Sequence, residues 1–304
     1  MAKDSAVTSD GDSPQGFLYA LAAYVIWGFL PIYMKAMSHI PAIEVIAHRV
    51  IWSVPVALAV LVWLGRTDDL KAALRNPRML GMASMTAALI SVNWGIYVWA
   101  IAAGRTLDTA LGYYINPLFS ILLGAALLGE RLRGLQWLAL ALVAAAVAVL
   151  TFGTGKLPIV AIGLFVTWGL YAYFKRSLPI GPNQGFTLEV LILLPFALAY
   201  VIWLTLTGQS HLTGGPRSDT VLLVLAGVVT AAPLMLYANG AKRLRLTTIA
   251  LMQYISPTLI FLTAVFAFGE PFSRTTFVAF ALIWAALAIY TATLLRRPGA
   301  RSAG

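Results

Sequence analysis

The chain contains no cysteine. Disulfides, thiolate metal centres and cysteine nucleophiles are therefore excluded outright. Histidine is nearly as scarce: His39, His48 and His211 are the only three, and no HExxH pattern occurs, which argues against a zinc enzyme. Charge is short as well. Asp, Glu, Lys and Arg make up 11% of the 304 residues and apolar types 60%, whereas soluble domains carry about 25% charge. Most of the surface must face something other than water. Of the 11 acidic residues, Asp4, Asp10, Asp12, Asp68, Asp69, Asp219, Glu130 and Glu270 fall in tails or turns. Glu44, Asp108 and Glu189 are left at span positions, too few for a membrane enzyme that needs paired carboxylates. No GxxxxGK[ST] nucleotide motif is present, and no metal or other cofactor is implied.

What the chain does have is long apolar runs. About 20 apolar residues cross a bilayer core of about 30 Å, and ten segments qualify: 16–37, 42–64, 79–103, 107–128, 134–152, 157–175, 185–206, 220–240, 247–268 and 275–295. The fold class expected is all-α, a polytopic membrane protein of ten helices. Residues 1–15 are polar without a basic n-region, and no small-residue cleavage site follows them. They read as a tail before a retained first span, with 296–304 as the opposite tail. The connection 65–78 reads as a surface helix or an ordered loop.

The formal charge of +10 is distributed, not patched. With the N-terminus cytoplasmic, the inner segments hold Lys3, Arg66, Lys71, Arg75, Arg78, Arg131, Arg133, Lys175, Arg176, Lys242, Arg243, Arg245, Arg296, Arg297 and Arg301. The outer loops hold Arg105, Lys156, Arg217 and Arg274. That alternation predicts both termini in the cytoplasm. There is no basic run interleaved with aromatics, so nucleic acid is not an expected partner.

The two halves of the chain repeat. Residues 110–130, ALGYYINPLFSILLGAALLGE, and 250–270, ALMQYISPTLIFLTAVFAFGE, are identical at 8 of 21 positions without a gap. Trp27-Gly28 matches Trp168-Gly169, Tyr97 matches Tyr237, and Glu44-Val45 matches Glu189-Val190. Spans 1–5 (16–152) thus recur as spans 6–10 (157–295). An odd number of spans reverses the chain's direction, so the second half is expected upside down relative to the first. Transporters use such inverted repeats, with the site between them near the midplane. Duplication also produces channels, and a passive channel or lipid scramblase is the alternative expectation.

Polar groups within the spans mark the expected pathway. Span 2 carries Glu44, His48 and Arg49, with Arg49 about 10 Å deep at 1.5 Å per residue. An Arg near a helix centre costs roughly 2.5–3.5 kcal/mol, which a cavity or a partner such as Glu44 would lower. The cluster reads either as a substrate or proton site, or as a structural ion pair near the outer interface with Arg49 snorkelling. Glu189 is the third titratable candidate. Trp27, Asn93, Trp94, Tyr97, Tyr113, Tyr114, Asn116, Tyr237, Asn239, Gln253 and Tyr254 are further candidates for the pathway lining, and interhelical packing is the alternative for each. Pro117 and Pro257, matched between the halves, free the carbonyls of Tyr113 and Gln253 and are expected as hinges. The Ala-rich stretches 139–150 and 279–290 suit peripheral packing or a homodimer face.

The stretches AAYVIWGFLPIYMK (22–35), EVIAHRVIWSVP (44–55), SVNWGIYVWA (91–100), LGYYINPL (111–118), GERL (129–132), TAAPLMLYANGAKRLRL (230–246) and QYISPTLIFLTAVFAFGE (253–270) resemble the RarD family. These are EamA-type transporters of the drug/metabolite transporter superfamily. The resemblance spans nearly the whole chain outside its tails. It implies secondary transport, not enzymatic chemistry, by alternating access in a bacterial inner membrane, with a small metabolite or drug as partner. Within that family the HR of span 2 and the N-W-G-x-Y of span 3 are prominent, here His48, Arg49, Asn93, Trp94, Gly95 and Tyr97. The cations of span 2 favour an anionic or zwitterionic solute; capture of a cationic drug by the many aromatics is the reverse reading.

Overall fold

A computed structural model describes residues 12–129, 131–132, 134–241 and 243–295. Residues 1–11 of the expected N-terminal tail, all of 296–304, and Glu130 lie outside the described residues. The described chain is helical, with no strand among the described residues. Helix α1 (Pro14–Ala36) is followed by α2 (Ala42–Trp63), α3 (Thr67–Leu74), α4 (Pro77–Ala102), α5 (Thr106–Leu128) and α6 (Gly134–Thr154). The second half comprises α7 (Ile159–Arg176), α8 (Pro182–Leu206), α9 (His211–Gly214), α10 (Arg217–Ala241), α11 (Leu246–Met252), α12 (Ile255–Leu262) and α13 (Arg274–Leu295). Helix α1 begins within the stretch read as tail, because Ser13 Oγ accepts the Gly16 N–H at 3.4 Å and Pro14 fills the first helical position. The connection at 65–78 contains a surface helix, α3, which buries Leu70 and Ala73. Asp12 accepts from the Arg245 N–H at 2.7 Å and from Thr248 Oγ1 at 2.6 Å, and these bonds hold its carboxyl below the usual range.

Among the described residues, nine segments are long and apolar enough to cross a membrane, one fewer than expected. The missing one is α7, which is 18 residues long and ends on Lys175 and Arg176. It packs inside the bundle against α4 and α5. The ninth span also departs from expectation: it is broken between α11 and α12 at Gln253 and Tyr254, and its far end unwinds into a π turn, Thr263–Ala267. Pro257 explains the break, since it cannot donate to the Gln253 carbonyl. Its counterpart Pro117 leaves α5 continuous. There Ala110, Leu111, Tyr114, Ile115 and Leu118 are all buried, so packing clamps α5 into one cylinder.

The packing pairs interchange the halves. Helix α1 packs on α10 as α7 packs on α4, and α1 packs on α12 as α7 packs on α5. Helices α2 and α8, α5 and α12, and α6 and α13 pair with their own counterparts. A twofold relation between the halves produces this pattern. The matched Trp-Gly pairs lie at two of these crossings. A Cβ at Gly28 would fall 2.6 Å from Leu259, and one at Gly169 would fall 2.5 Å from Phe119. Leu259 and Phe119 are themselves matched positions in the aligned segments. Tighter still is Gly227 of α10, where a Cβ would stand 2.1 Å from the Trp52 backbone of α2. Gly227→Ala must push these helices apart, and overpacking of this kind costs about 1–3 kcal/mol. We expect a lower thermal midpoint in detergent; an unchanged midpoint would mean that α2 and α10 are not in such close contact.

Candidate functional site

A cavity of about 560 Å³ lies among α1, α2, α4, α5, α7, α8, α10 and the break between α11 and α12. That volume is in the usual range for a small-molecule pocket. Helices α6 and α13 contribute nothing to its wall and pack on one another. Its rim includes Ala172, Arg176 and Pro182, all exposed, where α7 ends and α8 begins. Leu30, Arg49, Thr230 and Ile260 line its deeper part.

Arg49 dominates the deep wall. The side chain is 4% exposed, its Nε donates to Thr230 Oγ1 at 3.0 Å, and its guanidinium lies 4.5 Å from the Trp94 ring centroid. Its Nη1 has no hydrogen-bond partner, and Arg49 forms no ion pair among the described residues. Stacking on an aromatic face offsets part of the cost of burying a cation. Among the described residues the full charge nonetheless remains without a counter-ion.

Aromatic rings form the rest of the wall in two groups. Tyr24, Trp27 and Tyr237 stand 5.7–5.9 Å apart between centroids. Tyr97, Tyr113, Trp168 and Tyr171 make a chain at 5.7–6.3 Å. The repeat explains both, because Trp168 and Tyr97 are the sequence counterparts of Trp27 and Tyr237. Asn93 joins α4 to α7 through Nδ2, which donates to the Leu164 carbonyl at 3.1 Å and to Thr167 Oγ1 at 2.9 Å. Tyr97 Oη and Asn116 Oδ1 have no hydrogen-bond partner.

The structure therefore places Trp27, Arg49, Asn93, Trp94, Tyr97, Tyr113, Asn116, Tyr237, Gln253 and Pro257 on the cavity wall. It places Glu44, His48, Tyr114, Glu189, Asn239, Tyr254 and Pro117 off it. Each departure has a local cause. Glu44 does not partner Arg49: its carboxylate accepts from the His211 backbone N–H at 2.8 Å and meets His211 Nδ1 at 2.7 Å. His48 is buried beside it, and neither ring nitrogen finds a partner. Glu189 lies 2.6 Å from Lys175 Nζ, with Tyr171 Oη donating at 3.3 Å. Tyr114 meets Thr258 Oγ1 at 2.7 Å and packs edge-on to Phe280. Asn239 donates back to the Met235 carbonyl of its own helix at 2.8 Å, and Tyr254 packs against the main apolar core. Tyr24, Trp168, Tyr171, Lys175 and Thr230 line the cavity without having been singled out from sequence. Trp168 was accessible through its match to Trp27, and Tyr24 through its position one helical turn before Trp27.

The end opposite the rim is closed by contacts between the halves. Besides Glu44 and His211, His39 Nε2 lies 2.9 Å from Asp219 Oδ2, and the two imidazoles stack edge-on at 6.2 Å. The Tyr33 hydroxyl donates to the Leu222 carbonyl. The Glu270 carboxylate caps α5, accepting the Thr106 and Leu107 N–H groups at 2.7 and 2.8 Å.

Residues 14–152 and 156–292 each match the EamA-like transporter family. The chain belongs to that family. A protein of Vibrio cholerae serotype O1, named an uncharacterized transporter, is 43% identical over 281 residues, covering 92% of this chain and 93% of its own. Protein RarD of Escherichia coli K12 is 40% identical over 276 residues, with 91% and 93% coverage. These matches agree with the RarD resemblance read from the sequence. A crystal structure at 21% identity superposes with a TM-score of 0.61 over 93% of this chain and 99% of that one, so the two share a fold. The protein is thus a multi-pass membrane transporter of the drug/metabolite superfamily.

Proposed function

We propose that this protein is a secondary active transporter that exports a small metabolite or drug from the bacterial cytoplasm by alternating access, driven by the proton gradient. The halves are the two repeats, 16–152 and 157–295, and both termini face the cytoplasm. The supporting observation is the asymmetry between two equivalent carboxylates. At the closed end, Glu44 reaches across the halves to His211. At the rim, its counterpart Glu189 is held by Lys175 of its own half. Two matched halves in unlike states define one access state, and exchanging the states defines the other. With Lys175, Arg176 and Arg245 at the rim end, the positive-inside rule makes the present state open to the cytoplasm.

Reconstituted proteoliposomes test the reading. Flux of the physiological solute should saturate and should rise when a proton gradient is imposed. Unsaturable flux indifferent to the gradient would make the protein a passive channel.

A further inference from the structure

Resting on the reading that this cavity holds the transported solute, we infer that the solute is an organic monoanion: a carboxylate on an apolar, aromatic body, with no ammonium group. Among the described residues the cavity wall carries three cations, Arg49, Lys175 and Arg176, and no acidic side chain. Lys175 is already paired with Glu189. Among the described residues neither Arg49 nor Arg176 has a counter-ion; Arg176 is exposed, whereas Arg49 is nine-tenths buried and its Nη1 lacks a partner. A carboxylate supplies what this side chain lacks, since it accepts from a guanidinium in charge-assisted hydrogen bonds. Arg176 at the rim draws anions in and opposes cations.

The absence of a carboxylate in the wall separates this class from amino acids. A zwitterion would bring an ammonium into a cavity that holds an uncompensated guanidinium and offers no charged acceptor. The aromatic faces are an alternative seat for an ammonium. The face of Trp94, beside Arg49, is already occupied by the guanidinium itself. The remaining rings suit the apolar body of the solute.

The test is a series of four probes of one shape: 3-phenylpropionate, its neutral amide, phenylalanine and 3-phenylpropylamine. Binding to the purified full chain in detergent is read by quenching of tryptophan fluorescence, for which Trp27, Trp94 and Trp168 line the cavity. The anion should bind at least tenfold more tightly than each of the other three. Arg49→Ala should bring its affinity to that of the amide, and Arg49→Lys should retain part of the preference. The comparison among probes on the unmodified protein holds even if a variant fails to fold. Equal affinities, tighter binding of the zwitterion or the amine, no measurable binding of the anion, or an Arg49→Ala variant that keeps full anion affinity would overturn the inference. Anion binding without gradient-driven flux would sink the proposed function and leave this inference standing; gradient-driven flux without an anion preference would do the reverse.

Discussion

Glu44→Ala is expected to shift the protein toward the state open at the end opposite the rim. The Glu44 carboxylate is fully buried and takes two contacts from His211, at 2.8 and 2.7 Å. It joins α2 of the first half to the segment before α10 in the second. Hydrogen bonds to a charged group are each worth about 1.5–3 kcal/mol. Losing both in one state only moves the balance by about 3 kcal/mol at the lower bound, roughly a hundredfold in population. The cysteine-free chain makes the readout direct. Leu30→Cys places a single thiol on the deep wall, and a membrane-impermeant maleimide added from the closed side reports access. We expect labelling from that side to rise at least tenfold when Glu44→Ala is added. If Glu44→Ala lowers the thermal midpoint but leaves labelling unchanged, the His211 contact persists in both states and is not a gate.

Nine of the ten span positions and the repeat were legible in the sequence because both follow from patterns that survive without side-chain geometry. Apolar length sets a span, and an identity at fixed offset sets a repeat. The Trp-Gly match is the clearest case, since Gly28 and Gly169 lie on matched partners, Leu259 and Phe119. What was not legible was the choice each polar side chain makes among distant neighbours. Glu44 lies one turn from His48 and close to Arg49 in sequence, so local spacing suggested one cluster. Its partner His211 is 167 positions away, on a segment whose fold no periodicity announces. Pro117 and Pro257 show the same limit. Matched prolines sit in one continuous helix and one broken helix, and the buried neighbours of Pro117 hold α5 together. The α7 segment shows it a third way: read as an ordinary span, it carries Lys175 into the cavity wall.

That lysine supplies the second large effect. Glu189 is 1% exposed and Lys175 19%, and their charged atoms are 2.6 Å apart. Lys175→Met leaves the Glu189 carboxylate buried, with the Tyr171 hydroxyl donating to it at 3.3 Å. Breaking a buried pair from one side costs about 3–5 kcal/mol, because the surviving charge keeps its desolvation penalty and loses its attraction. The double replacement Lys175→Met with Glu189→Leu removes both terms, so its stability should return close to that of the unmodified protein. A thermal or denaturant cycle in detergent measures this, with a coupling of several kcal/mol expected between the two positions. Additive effects would mean that water entering through the rim screens the pair. In that event Lys175 would present its charge to the cavity alongside Arg49, and the deep guanidinium would no longer be the one buried, uncompensated cation among the described wall residues.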